Sequence, residues 1–244
     1  MKKRLLPFLL ALSFLSRIPV ADLGKLEASD FARAALFYPL VGLLIGALLC
    51  IPLLLLPHSP AILLAAILTV LWAAITGGLH LDGLADSADA WLGGFGDVEK
   101  THSILKDPLV GAAGVIALVG LLLLKFAALV VLLERGAWLA VLFAPALGRA
   151  LVLLLFLTTP YVRAGGLASA VTEHLPRETA WWVTLATLVV AMLVSMQGLF
   201  AALIGFWLLR RMMLQRLQGC TGDTAGAAVE SGEMLWLLGF ALAV

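Results

Sequence analysis

Three aspartates, Asp82, Asp86 and Asp89, lie within eight positions of an otherwise apolar chain. If residues 81–92 form a helix, the 3.6-residue period places these three positions (i, i+4 and i+7) within an arc of about 60°. Like charges at this spacing repel each other and weaken a helix, so the pattern calls for a compensating cation. Mg²⁺ prefers oxygen ligands and is commonly held by one or two carboxylates together with substrate phosphates. The spacing therefore predicts a magnesium site.

An amphipathic helix at a membrane surface would also turn its acids toward water, without any catalytic role. Two features favour a site instead. No lysine or arginine lies between His80 and Lys100, and glycine pairs at 77–78 and 93–94 flank the aspartates, which permits close backbone approach to a ligand. His80 itself lies off the carboxylate face, and the histidines show no zinc-ligand spacing. We therefore expect His80 to be structural or to contact a ribose.

The composition places these aspartates in a membrane protein. Of 244 residues, 63% are apolar and 13% are charged, whereas soluble domains are roughly 45–50% apolar and about 25% charged. A net charge of +1 does not suit a nucleic-acid partner. The two cysteines have no disulfide-framework or zinc spacing.

Runs of about 20 apolar residues mark the membrane spans. Four are clear, at residues 34–56, 61–76, 111–133 and 137–159. The run 180–209 fits either one long helix or a hairpin broken near 195–198. Residues 5–20 are expected to be a retained N-terminal segment, and residues 234–244 are too short to cross alone. The sequence predicts an all-α, polytopic integral membrane bundle of about six transmembrane helices with short N- and C-terminal apolar segments, as a single domain over 1–244.

Charge placement favours the hairpin and orients the chain. With a hairpin, the segments 1–33, 77–110, 160–179 and 210–233 share one face and carry 13 of the 16 lysines and arginines and 14 of the 15 acids. By the positive-inside rule this face is cytoplasmic. Lys125 and Arg149 fall inside spans. We expect Lys125 to extend its side chain toward the surface, and Arg149 to face the bundle interior or a wet cavity.

Two further stretches of this face could bind an anion or a metal. Lys106 and Asp107 precede a helix N-terminus, where backbone amides favour anions. Asp223 lies in a segment rich in glycine and threonine, and Glu230 and Glu233 follow it. Each stretch alone also fits an ordinary capped loop, and Asp223 fits an N-cap equally well.

The chain resembles the cobalamin synthase family, whose members are adenosylcobinamide-GDP ribazoletransferases, along nearly its whole length. The most specific motif is GGLHLDGLADSADA at 77–90, where Ser87 replaces the usual threonine. Weaker motifs follow in the expected order: FLSRIP at 14–19, FYPLVG at 37–42, KDPLVGAAGV at 106–115, APALGR at 144–149 and GCTGDTAGA at 219–227.

The resemblance implies a Mg²⁺-dependent step of cobalamin biosynthesis in the bacterial inner membrane. A ribose hydroxyl of α-ribazole, or of its 5′-phosphate, would attack adenosylcobinamide-GDP with release of GMP. Asp82, Asp86 and Asp89 would be the catalytic and metal-binding residues, although Asp89 could instead accept the hydroxyl proton. The substrate-binding candidates are the following: His80, Lys106, Asp107, Arg149 and Asp223. Besides these substrates, the expected partners are membrane lipids; the sequence does not decide between a monomer and a homo-oligomer.

Two other classes of membrane protein remain as alternatives. CDP-alcohol phosphotransferases also use aspartates and a metal, but their DGxxAR core is broken here, because Asp86 follows Ala85 where arginine is required. A small transporter with a proton relay would need carboxylates inside its spans, and the predicted spans contain none.

Overall fold

A computed structural model describes residues 2–163 and 165–243, and in this part of the chain every regular element is a helix. The predicted all-α class is therefore confirmed. The helices are, in order, α1 (Lys2–Leu15), α2 (Ala28–Ala35), α3 (Tyr38–Leu55), α4 (Ala61–Thr76), α5 (Leu79–Gly93), α6 (Val98–Ile104), α7 (Ala112–Glu134), α8 (Trp138–Thr158), α9 (Leu167–His174), α10 (Arg177–Val194), α11 (Met196–Leu217) and α12 (Gly222–Ala241).

Among the described residues, five helices are long and apolar enough to cross a membrane: α3, α7, α8, α10 and α11. The count rises to six if the pair α4 and α5 contributes one, as predicted. The axes of α4 and α5 differ by 91°, so the two helices do not form one straight span, and we treat α5 as lying outside the spanning segments. Large apolar side chains such as Leu54, Ile116 and Leu193 remain exposed on the spans, as expected for surfaces that face lipid.

The run predicted as either one helix or a hairpin is a hairpin. Helix α10 ends at Val194 and α11 begins at Met196, with Ser195 extended between them and its hydroxyl accepting from the Gly198 amide. Arg177, which begins α10, donates to the Leu157 carbonyl, and Arg210, near the end of α11, donates to Thr158 and Thr159. The two helices are therefore antiparallel, since both of these arginines meet the same end of α8.

Hydrogen bonds also join the polar segments that were predicted to share one face. The Arg17 amide donates to Ile75 O at 2.8 Å, and the Cys220 amide donates to Pro160 O at 2.8 Å. Segments that are distant in sequence thus meet at one end of the bundle. We call this end, where α4 ends and α12 begins, the polar end.

The last polar segment departs from the prediction. Residues 210–233 were expected to stay at the surface and 234–244 to be too short to cross. Instead, α12 is a 20-residue helix that leaves the polar end at Gly222 and packs among α5, α7, α8 and α11. The helix carries Glu230 and Glu233 into the bundle, where they are 2% and 0% exposed.

Two buried cations explain how the bundle accommodates these acids. Lys125 Nζ on α7 lies 2.8 Å from Glu230 and 2.6 Å from Glu233, and Arg149 on α8 also pairs with Glu233. The expectation that Lys125 extends to the surface is wrong. The carboxylates that hold it come from α12, which is not one of the predicted spans. Arg149 does face the interior, as predicted. We call these four residues the charge cluster; its formal charges cancel.

Candidate functional site

The turn before α5, the helix that carries the three aspartates, sets the direction of this helix. Gly77 and Gly78 have φ values of 65° and 72°, which residues with a side chain rarely adopt. These two left-handed residues end α4 and turn the chain by 91° into α5. The helix predicted over 81–92 is confirmed within Leu79–Gly93, so Asp82, Asp86 and Asp89 do follow one another at helical spacing.

Glycines also bring α5 against the start of α12. A Cβ atom on Gly83 would lie 2.5 Å from the Asp223 carbonyl oxygen, and one on Gly226 would lie 3.1 Å from the His80 oxygen. Helix backbones approach this closely only where side chains are absent. The crossing therefore places Asp223, 134 positions further along the chain than Asp89, beside the aspartate helix.

Asp82 and Asp86 form the least compensated part of this site. The side chain of Asp82 is exposed and that of Asp86 is partly buried, and neither forms an ion pair with a described residue. Burial, followed by the charges of Asp82, Asp223 and Asp89, raises the pKa of Asp86 to about 6, although Arg163 acts in the opposite direction. The shift therefore reflects first the partial burial of Asp86 and then the neighbouring carboxylates.

Asp89 is held differently. Its two carboxylate oxygens accept hydrogen bonds from the amides of Gly111 at 2.7 Å and Gly114 at 2.9 Å. These amides belong to the first turn of α7, which has no other described side-chain cap, so the carboxylate satisfies free N–H groups and the positive end of the helix dipole. Asp89 therefore anchors α5 to α7.

Asp223 contacts a cation and does not serve as the N-cap of α12. It accepts a hydrogen bond from Arg163 at 2.9 Å. The capping role belongs to Thr221, whose hydroxyl and that of Thr224 bond reciprocally to each other's backbone amides. The side chain of Asp223 is thus available to the site, with Arg163 beside it.

A cavity of about 200 Å³ opens beside Asp82 and Asp223. The two aspartates, His80 and Arg149 form what we call its polar wall. The other side is lined mainly by carbon atoms from α1, α2, α3, α8 and α9, and we call it the apolar wall. The side chains of the apolar wall include the following: Leu10, Phe14, Phe31, Tyr38, Val152, Phe156 and Val171.

His80 and Arg149 connect the cavity with the charge cluster. Arg149 Nη2 lies 3.5 Å from His80 Nδ1, while Nη1 donates to Glu233 and to Pro145 O. Burial, followed by the charges of Arg149 and Lys125, lowers the pKa of His80 well below its usual value, so the ring is neutral. Arg149 Nε is buried without a hydrogen-bond partner among the described residues.

Lys106 and Asp107 lie on the exposed loop between α6 and α7. Asp107 accepts a hydrogen bond from the Leu109 amide at 3.0 Å, which is a local turn contact. Within the described part of the chain, neither residue lines the cavity or bonds to another candidate residue. The structure therefore brings together His80, Asp82, Arg149 and Asp223, with Asp86 nearby, and leaves this pair outside.

The donor set can be compared with what Mg²⁺ requires. No three side chains of Asp, Glu, His or Cys among the described residues stand close enough to enclose a metal ion by themselves. Mg²⁺ does not need such an enclosure, because it keeps several waters and uses one or two carboxylates plus substrate phosphates. Asp82 and Asp86, which have no cationic partner, fit that requirement.

Sequence reasoning missed the apolar wall and the acids that hold Arg149. The burial of Glu230 and Glu233 could have been predicted. Two cations inside predicted spans require buried anions as partners, and these two acids were candidates. The apolar wall had no signal of its own, because its residues come from five helices and look like ordinary core residues.

Comparison with known proteins extends over nearly the whole chain. A model of the family described as cobalamin-5-phosphate synthase matches residues 7–241. The chain is 54% identical over 243 residues to the adenosylcobinamide-GDP ribazoletransferase of Pseudomonas putida strain W619, covering 98% of this chain and 100% of the relative. It is 51% identical over 239 residues to the protein of the same name from Ectopseudomonas mendocina strain ymp, covering 96% and 98%. No solved structure matches.

Proposed function

Because the chain belongs to the cobalamin-5-phosphate synthase family, we propose that it is an adenosylcobinamide-GDP ribazoletransferase. In this reaction a ribose hydroxyl of α-ribazole, or of α-ribazole 5′-phosphate, attacks the cobinamide-linked phosphate of adenosylcobinamide-GDP. The bond from that phosphorus to the bridging oxygen breaks, and GMP leaves. The new phosphodiester joins the two halves of the cobalamin nucleotide loop.

The observation that carries this proposal is the uncompensated pair Asp82 and Asp86 beside a cavity. Displacement at a pyrophosphate places negative charge on the transferred group and on the leaving phosphate. A site that already concentrates carboxylates would repel that charge unless a cation came between them. Burial, together with the charges of Asp82, Asp223 and Asp89, raises the pKa of Asp86 to about 6, which is consistent with a carboxylate that lacks a cationic partner.

We propose that Asp82 and Asp86 hold Mg²⁺ together with phosphate oxygens of the donor. The ion, when bound, would neutralise charge on the reacting phosphates and orient them. We further propose that Arg163, which pairs with Asp223, contacts a phosphate when the substrate is bound. Asp89 keeps α5 in position through its bonds to α7.

We propose that Arg149, in the polar wall, helps to bind the substrate. It does not add net positive charge to the site, because Glu233 pairs with it. Its unpartnered Nε and the neutral ring of His80 are available to a polar atom of the substrate, such as a ribose oxygen. Both groups are held rigidly, because each is buried and bonded to a neighbour. Their role is therefore orientation of a substrate group near Asp82.

The polar end is proposed to face the cytoplasm of a bacterial inner membrane. It collects most of the basic residues, in agreement with the positive-inside rule. Both proposed substrates are then reached from the cell interior, and the products leave on the same side.

The test measures GMP release by membranes that contain the protein, supplied with adenosylcobinamide-GDP, α-ribazole 5′-phosphate and Mg²⁺. Asp82→Asn keeps the side-chain shape but loses the charge, and we expect it to lower kcat/KM by at least about 100-fold, as for other losses of charge stabilisation at a reacting group. The matched control is Asp22→Asn, an exposed aspartate at the polar end, which should leave the rate unchanged. Chelation of Mg²⁺ should abolish activity reversibly.

A rate with Asp82→Asn equal to that of the wild type would refute the role of the aspartate helix. CMP release from a CDP-linked donor, without GMP release, would instead support the CDP-alcohol phosphotransferase alternative. The buried Glu230 and Glu233 remove one argument against a transporter. However, both acids are paired with buried cations, which does not suit a proton relay, and solute uptake by proteoliposomes would test that alternative directly.

A further inference from the structure

The apolar wall consists mainly of hydrocarbon side chains, which bind neither Mg²⁺ nor a phosphate. Leu10, Phe14, Phe31, Phe156 and Val171 face the same cavity as Asp82. Of these, Leu10, Phe156 and Val171 are almost completely buried. A cavity that is acidic on one side and apolar on the other fits a ligand that carries a polar group joined to an apolar ring.

One polar atom interrupts the apolar wall. Tyr38, the first residue of α3, is 6% exposed and lines the cavity. Its ring stacks on Phe14, with centroids 6.1 Å apart and an angle of 24° between the planes. Within the described part of the chain, its hydroxyl forms no hydrogen bond, and the hydroxyl oxygen is not fully buried. The hydroxyl is therefore free to bond to a ligand in the cavity.

The size of the cavity limits which part of which substrate can enter. About 200 Å³ is less than the roughly 300–1,000 Å³ of pockets that enclose a drug-sized molecule. A corrin ring with its side chains does not fit. A single bicyclic aromatic ring does, and each of the two proposed substrates contains at least one such ring.

Polarity separates the candidate rings. The donor contains two purines, guanine and the adenine of its adenosyl group. Both carry hydrogen-bonding groups along most of their edges, and burying these against carbon without partners is unfavourable. The benzimidazole of α-ribazole has one free ring nitrogen and otherwise only carbon edges. A wall of aliphatic and aromatic side chains with one hydroxyl matches the benzimidazole.

We propose that the apolar wall is the binding site for the aromatic base of the acceptor nucleoside, with the Tyr38 hydroxyl bonded to the free ring nitrogen. This inference rests on the proposed function, and it adds which substrate lies where. With the base against Val171 and Phe31, the attached ribose extends toward Asp82 and Asp223, where its hydroxyl must attack. The wall would select acceptors by the polarity of their base.

The first test fills the cavity. Val171→Phe adds a ring to the apolar wall, and Val70→Phe, at an exposed position on α4, is the matched control. Free benzimidazole is the probe, and its binding to purified protein is followed by equilibrium dialysis, which does not depend on turnover. We expect the wild type and Val70→Phe to bind benzimidazole equally, and Val171→Phe to lose binding. Equal binding by all three proteins, or none by the wild type, would overturn the inference.

The second test uses Tyr38→Phe, which removes only the hydroxyl and leaves the stacked ring in place. Loss of one hydrogen bond should raise the KM for α-ribazole 5′-phosphate by roughly 3–10-fold, with the KM for adenosylcobinamide-GDP and kcat unchanged. A rise in the KM of the donor instead would assign the wall to a purine of the donor and contradict the proposal. Absence of GMP release by the wild type would refute the proposed function, while the dialysis result would still decide whether the wall binds the base.

Discussion

Replacing Lys125 with methionine tests whether the charge cluster holds the bundle together. Lys125 Nζ is the only described partner of Glu230, and it also contacts Glu233. It further lies 4.2 Å from the centre of the Trp72 ring. The variant Lys125→Met keeps most of the side-chain length but changes the formal charge of the cluster from zero to −1. Glu230 would then remain buried without a cation.

The expected cost follows from that unpaired acid. Removing one partner of a buried ion pair typically costs about 3–5 kcal/mol, because the other charge is left without compensation. This loss corresponds to roughly a 10²–10⁴-fold change in the folding constant. The double variant Lys125→Met with Glu230→Met removes both charges and leaves the pair between Arg149 and Glu233 intact. Since a buried ion pair can often be replaced by apolar groups at little cost, we expect the double variant to regain most of the loss.

The measurement is unfolding of the purified protein in mixed detergent micelles, followed by tryptophan fluorescence, for the wild type, both single variants and the double variant. The cycle should give an interaction energy above about 2 kcal/mol, as for residues in one buried network. Lys25→Met, at an exposed position with no described ion pair, is the control and should change stability by less than about 0.5 kcal/mol. If Lys125→Met unfolds like the control, then the cluster is not desolvated and the reasoning is wrong.

Three further predictions concern the site itself. Gly83→Ala should lower kcat/KM by at least about 10-fold, because the added methyl group pushes α5 away from Asp223. Gly78→Ala, in the turn, should mainly lower stability, by about 1 kcal/mol. Equal effects of the two variants on kcat/KM would contradict this reasoning. Asp89→Ala should destabilise the protein by about 1–2 kcal/mol through loss of the α7 cap, with the KM for Mg²⁺ little changed; a selective rise in that KM would make Asp89 a metal ligand instead. The Mg²⁺ concentration needed for half-maximal activity should rise as the pH falls through about 6, because protonation removes the charge of Asp86; a constant value from pH 7 to 5 would refute its role as a ligand.

Apolar runs predicted the spanning helices well, because lipid requires about 20 apolar residues for each crossing. Helix α4 begins and ends at the predicted residues, 61 and 76, and the hairpin break near Ser195 is confirmed. The search for apolar runs did not predict α12 as a helix inside the bundle. Its two glutamates lower the hydropathy of the segment, and a rule that scores each segment separately cannot account for Lys125 on another helix. Pairing across helices is a property of the fold, so it appears only once the helices are placed.

For the aspartate site, too, the sequence predicted the helix but not the contacts that orient its side chains. Helical spacing predicted that Asp82, Asp86 and Asp89 follow one another on α5, and this is confirmed. Which carboxylates turn toward the cavity depends on contacts with α7 and α12, which both come later in the chain than α5. The amides of Gly111 and Gly114 hold Asp89, and Gly83 admits Asp223 to the site. Neither contact has a signal in the local sequence.

The cancelling charges of α7, α8 and α12 also bear on how the protein is made. A ribosome delivers Lys125 and Arg149 to the membrane well before it has translated Glu230 and Glu233. During that interval the bilayer contains two cations without their final partners, and arrival of the last helix neutralises them. A chain that stops short of Gly222 would leave both cations without these partners, which is unfavourable inside a membrane.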